Sequence, residues 1–150
     1  MARRILVAVD GSVEARDALA FAASEWPDAE LTALHVINPA DSATGAEGGF
    51  PGATDQWYES AKQRGERVLS EAAAAVDRDV ERRLEVGRPT ATVLGVAGGE
   101  EGVGEDEDSG EPFDHIVLAS QGRTGISRVL LGSVAEGVVR RAEVPVTVVR

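Results

Sequence analysis

Five apolar runs, each about the length of a strand, are separated along this chain by stretches with helical spacing. The first, Arg4 to Val9 (RILVAV), is the short continuous run expected of a central strand buried on both faces. Asp10-Gly11-Ser12 ends it, and Ser12 is a natural N-cap for a helix over Val13 to Trp26, where Ala18, Leu19, Ala22 and Ala23 recur at helical spacing. Pro27 and Asp28 stop that helix, and Leu31 to Ile37 is the second strand. After a Gly/Pro/Ala loop from Asn38 to about Asp55, a long helix is predicted over Gln56 to Arg78. Val80, Arg82, Leu84 and Val86 alternate with charged residues, which suits a half-exposed edge strand. Gly87-Arg88-Pro89 turns into a short helix over Thr90 to Ala97, and an acidic, glycine-rich loop spans Gly98 to Pro112. A strand (Ile116 to Ala119), a glycine loop, an amphipathic helix opening at Gly132-Ser133 and a last strand (Val144 to Val149) complete the chain. Such strand–helix alternation implies a parallel sheet with helices on both faces.

In doubly wound sheets, ligands sit at the carboxyl ends of the strands, where the strand order reverses. In the order 3-2-1-4-5, strands 1 and 4 are neighbours at that point. Their loops are Asp10-Gly11-Ser12 and Ser120 to Ser133. A glycine loop after a strand, with free backbone N–H groups at the next helix start, is how α/β proteins hold phosphate. Both phosphate-friendly loops therefore flank one crevice. Arg123 and Arg128 stand in a stretch, 115 to 135, that contains no Asp or Glu, which favours an anion nearby.

The final stretch carries a resemblance. Over essentially its full length the chain resembles the universal stress protein family, whose pattern is Gly-x2-Gly-x9-Gly-Ser/Thr. Here it reads Ala119-Ser-Gln-Gly122, nine residues, then Gly132-Ser133. The opening VAVDGS, the second strand ending HVI, the turn Gly87-Arg88-Pro89 and the closing PVTVV match in type and order. The resemblance implies a Rossmann-like fold akin to the adenine nucleotide alpha hydrolases, and ATP binding. It implies that Asp10, with Gly11 and Ser12, organises the site or meets the ribose, and that Val36 presents backbone to adenine. Gly87 would pass close to the ribose. Ser120, Gly122, Arg123, Gly132 and Ser133 would surround the phosphates, with a divalent ion such as Mg2+ or Mn2+ between them. It further implies a homodimer paired through the last strand, an edge that invites pairing unless covered. The first motif glycine is Ala119 here. A Cβ costs energy if that position needs positive φ or close ligand approach, and is tolerated if it merely ends the strand.

Several of these residues also have plainer readings. Ser133 and Glu136 form S-x-x-E, a capping box that needs no ligand. Asp10 suits an Asx turn, the glycines suit turns, and the arginines suit an ordinary surface. Seven carboxylates between Glu100 and Glu111 lack the spacing of a calcium loop and read as a solvated insertion. His35 and His115 are too few for a metal cluster. No Walker lysine, nucleophile elbow or dinucleotide fingerprint is present. Three functions follow as expectations. They are an ATP-binding stress or regulatory protein, a dimeric interaction module that binds no nucleotide, and a slow ATPase or other adenylate hydrolase.

Composition narrows the setting. At 150 residues, 43% of them hydrophobic, the chain suits one globular domain. No apolar run can span a bilayer, and the run after Arg3-Arg4 is too short for a signal-peptide core. Without cysteine there is no disulfide or thiol chemistry, and a soluble cytoplasmic protein is expected. A net charge of −11 opposes nucleic-acid binding. Basic charge comes from 14 arginines and one lysine, Lys62; an acidic surface poor in lysine suits very salty cytoplasm, where self-repulsion is screened, and a GC-biased genome would also explain Arg over Lys. Thermal melting should therefore rise between dilute buffer and molar KCl, and a fall would count against salt adaptation.

Overall fold

The computed structural model describes residues 2–44, 53–99, 110–121 and 131–150, and the statements below concern these. Five strands form one parallel sheet in the order β3-β2-β1-β4-β5. The strands are β1 (Arg4–Ala8), β2 (Glu30–Ile37), β3 (Val80–Val86), β4 (His115–Ala119) and β5 (Val146–Val149). The helices are α1 (Val13–Glu25), α2 (Ala53–Ala74), α3 (Pro89–Ala97) and α4 (Ser133–Arg141). A 3-10 turn, Pro39–Thr44, occupies part of the segment expected to be irregular loop.

The centre of the sheet follows from the first apolar run. β1 pairs with β2 from Arg4↔Glu30 to Ala8↔Leu34, and with β4 from Ile5↔His115 to Val7↔Val117. A strand paired on both edges and covered on both faces must be apolar throughout. Ile5, Leu6 and Val7 are each fully buried. Alternation along the pleat divides them between two cores. Ile5, Val7 and Val9 pack with Ala18, Leu19 and Ala22 of α1 and Leu69 and Ala72 of α2. Leu6 faces the other way and joins Val93 and Val96 of α3 and Ala135 and Val138 of α4.

Local signals set most helix ends. The Ser12 side chain accepts from Ala15 N–H at 3.1 Å, so Ser12 is the N-cap of α1. At the other end of α1, the Arg78 guanidinium donates to the carbonyls of Ala23, Trp26 and Ala29. A cation there satisfies carbonyls that the helix leaves unpaired and complements its dipole. Pro89 opens α3, where a missing N–H costs nothing.

Three expectations shift. α2 runs from Ala53 to Ala74 rather than Gln56 to Arg78; its end tightens, with the Ala75 and Val76 N–H groups donating to the Ala72 and Ala73 carbonyls, and Arg78 beyond it reaches α1. β5 begins at Val146 rather than Val144, since Pro145 has no N–H to give the ladder, although its carbonyl accepts from Ile116 N–H at 3.0 Å. On edge strand β3, Arg82 is exposed while Glu85 is 6% exposed. Arg83 Nε meets Glu85 Oε1 at 2.8 Å, and a buried carboxylate requires such a partner.

At the amino-terminal end of β4, His115 Nε2 lies 2.7 Å from Thr147 Oγ1, and its ring packs 4.9 Å from that of Trp26. Burial, and then the positive charge of Arg3, lower its pKa below the ordinary 6.5. The folded state resists a proton that the unfolded chain accepts. The contribution of His115 is therefore complete above pH 6.5 and is lost as pH falls through the lower folded value. Denaturant unfolding should show stability falling from neutral pH toward about pH 5, and His115→Gln should remove part of that fall. An equal fall in the variant would show that other groups carry it.

Candidate functional site

A cavity of about 550 Å³ opens over the carboxyl ends of β1, β2 and β4. That is the strand reversal at which doubly wound sheets place ligands, and the volume suits a small organic molecule.

One wall is the turn after β1. Asp10 Oδ1 accepts from Ser12 N–H at 2.9 Å and from the Ser12 hydroxyl at 2.5 Å. This is the Asx turn expected of Asp10, and Asp10 lines the cavity. Ser12 donates its hydroxyl proton to Asp10 and accepts from Ala15, so the hydroxyl is spent on structure and Ser12 is not in the cavity wall. Gly11, at φ +90, has the left-handed backbone this turn needs, and a Cβ there would lie 3.2 Å from Val68 Cγ2 of α2.

The facing wall comes from β4 and α4. Ala119 is the last residue of β4 and holds regular register with Val149. It is strand backbone, which accepts a Cβ without strain, so the substitution at the first motif position is a strand-end alanine. Gly132 N–H donates to Ser120 O at 2.7 Å, drawing together the two ends of the β4–α4 connection. Gly122 and Arg123, with Gly125 and Arg128, lie outside the described residues.

The capping-box expectation is corrected. Gly132, not Ser133, is the N-cap of α4, and as glycine it has no side chain with which to cap. The Gly132 carbonyl already accepts from Glu136 N–H at 2.9 Å, which starts the helix at Ser133. Glu136 instead meets Arg140 at 2.8 Å, one turn along. Among the described residues, the first turn of α4 thus keeps N–H groups with no side-chain acceptor, and Gly132 and Ser133 line the cavity.

Asp10, Gly11, Val36, Ala119, Ser120, Gly132 and Ser133 all come together in the wall. Gly87 does not: its N–H donates to Ile37 O at 2.9 Å, and a Cβ on it would overlap the Thr92 side chain. It shapes the turn between β3 and α3.

Sequence reading missed a third wall, from α2. Trp57, Ala61, Arg64 and Val68 line the cavity at helical spacing. Their spacing is in the sequence, but in a helix rich in Glu and Arg it does not stand apart from the solvated faces. His35 also belongs to the wall, on β2. Its Nδ1 lies 2.9 Å from Val9 O, and its ring lines the cavity beneath α2. Gly65 permits that packing, since a Cβ there would sit 2.6 Å from Leu84 Cδ1 and 2.9 Å from His35 Cδ2. Among the described residues, no three His, Asp or Glu side chains converge as a metal-binding group, and no helix is long and apolar enough to cross a membrane.

Fold and cavity together define a doubly wound α/β protein with a ligand crevice at its strand reversal. The profile of the Universal stress protein family matches residues 1–150. A universal stress protein of Mycobacterium tuberculosis is 32% identical over 155 residues, which cover 97% of this chain and 47% of the relative. The chain therefore spans about half the length of that relative. The structure of the universal stress protein UspA from Lactobacillus plantarum has a TM-score of 0.64 at 27% identity, over 99% of this chain and 97% of that one. A universal stress protein solved in complex with cAMP shares the fold at a TM-score of 0.57 and 23% identity, over 99% and 97% of the two chains. This chain belongs to the universal stress protein family.

Because α2 forms a wall only while Gly65 lets it lie on β2 and β3, Gly65→Val should cost about 2 kcal/mol of stability. Denaturant melts would read this, and a variant as stable as the parent would show that the wall is free to shift.

Proposed function

We propose that this chain binds an adenine nucleotide, ATP, in the crevice between β1 and β4, and that nucleotide occupancy regulates a stress response by biasing shape or partner choice. The observation that carries the reading is the junction of two unlike loops at one point. The Asp10 turn supplies a carboxylate oxygen, and the first turn of α4 supplies uncapped N–H groups about the same cavity. A nucleoside phosphate needs both kinds of group, an acceptor for its ribose hydroxyls and donors for its phosphates.

In this reading Asp10 holds the ribose, and the backbone at Val36 faces the base. Ser120, Gly132 and Ser133 hold the phosphates with Gly122 and Arg123 of the same motif. Gly11, Ser12 and Gly87 act behind them by shaping the turns, and Ala119 ends the strand that presents them. A divalent ion, if bound with the nucleotide, would supply charge neutralisation at the phosphates. The nucleotide serves as a signal, with hydrolysis slow at most. Among the described residues, no wall hydroxyl is hydrogen-bonded to His35, so the hydroxyl–histidine pair of a hydrolase is not assembled. The chain pairs as a homodimer through its segment 144–149. In support, β5 pairs with β4 along one edge, and among the described residues no strand pairs along the other.

The test is nucleotide content. Protein purified in high salt and then denatured should release ATP or ADP near one per chain, and light scattering on the same sample should give twice the chain mass. An empty protein that also fails to bind added Mg-ATP would overturn the nucleotide reading. A monomeric mass would overturn the pairing alone.

A further inference from the structure

We propose that Arg64, carried on α2, is a specificity-determining residue of this crevice. It pairs with a phosphate of the ligand, so the site distinguishes a phosphorylated nucleoside from a bare one. The proposal rests on the nucleotide reading above.

The argument begins with charge. The described part of the cavity wall contains two carboxylates, Asp10 and Asp41, in a chain of net charge −11. A nucleotide entering there brings further negative charge. Arg64 is the one Lys or Arg among the described wall residues. Uncapped helix N–H groups offer only partial positive charge, about half an elementary charge at one helix end. Among the described wall residues, Arg64 alone can add a full cation to that partial charge.

The sequence around Arg64 leaves that cation available. On a helix, neighbours lie three and four residues away. Lys62 has Glu59 and Glu66 at those distances, and Arg67 has Glu71. Arg64 has Ser60, Ala61, Arg67 and Val68. It is the one cation of α2 with no acidic neighbour along the helix, although the chain holds 26 acidic residues. Among the described residues it makes no hydrogen bond or ion pair.

Packing decides where the charge points. Ala61 is 5% exposed and Leu69 3%, so this part of α2 is docked on the sheet. Val68 approaches Gly11, and Arg64 stands one turn nearer the start of α2. Since α2 returns from the carboxyl ends of the strands, that turn places Arg64 beside the mouth of the crevice, in the same wall as Trp57. An arginine there holds phosphate through a planar fork of N–H donors.

The experiment is calorimetric titration of the full chain with adenosine, AMP and ATP, for the parent, Arg64→Gln and Arg64→Lys. Arg67→Gln serves as a control elsewhere on the same helix. Arg64→Gln should weaken AMP and ATP about tenfold while adenosine stays within about twofold, and Arg64→Lys should recover part of the loss. The deficit should shrink in high salt, where exposed charges are screened. An equal loss for adenosine and AMP would show a packing role and overturn the proposal. Unchanged AMP and ATP binding in Arg64→Gln would overturn it too, leaving the nucleotide reading intact. A parent that binds none of the three would overturn both.

Discussion

Everything in this molecule depends on the burial of β1. The middle of a strand with neighbours on both edges and helices on both faces has no contact with water, so there each backbone group must be paired and each side chain must be apolar. Ile5, Leu6 and Val7 meet that demand, and the two ladders to β2 and β4 supply the pairing. The chain arrives at β2 by one crossover and at β4 by a later one on the opposite side. At the carboxyl end of β1 these connections diverge and leave a gap. The crevice is thus a consequence of topology before any site residue is considered.

The polar groups at that gap are held by structural bonds. Asp10 grips Ser12, and Ser12 caps α1. A carboxylate fixed through one oxygen presents the other in a set direction, and it does so only while α1 stays docked. The β4 side uses a parallel device. Gly132 gives its N–H to Ser120 and its carbonyl to Glu136, so the start of α4 is locked to the end of β4. Both halves of the site borrow rigidity from the helices they open, which keeps the cost of ordering a ligand low.

Much of this was legible in the residues. Two-faced burial of β1, the cap at Ser12 and the Asx turn at Asp10 follow from period and residue type, and the structure bears them out; the strand order, which came with the fold class and not from the residues, is found as well. The S-x-x-E reading at Ser133 failed because cap position depends on where the preceding backbone is pinned. Here that is the long-range bond from Gly132 to Ser120. Arg78, expected to end α2, lies beyond it, and its partners are carbonyls roughly fifty residues earlier in the chain.

What the sequence determined by itself is the set of elements, their alternation and the loop types at each strand end, because these obey short-range periodicity and turn chemistry. It also carried the family motif, including the alanine at its first position. Only the tertiary structure decided that Ala119 is a paired strand residue and that Arg64 and Trp57 join the crevice wall. Those outcomes depend on which helix face meets which strand. That choice is made by the packing of Val68, Gly65 and Gly11 across the sheet, between groups far apart in the chain.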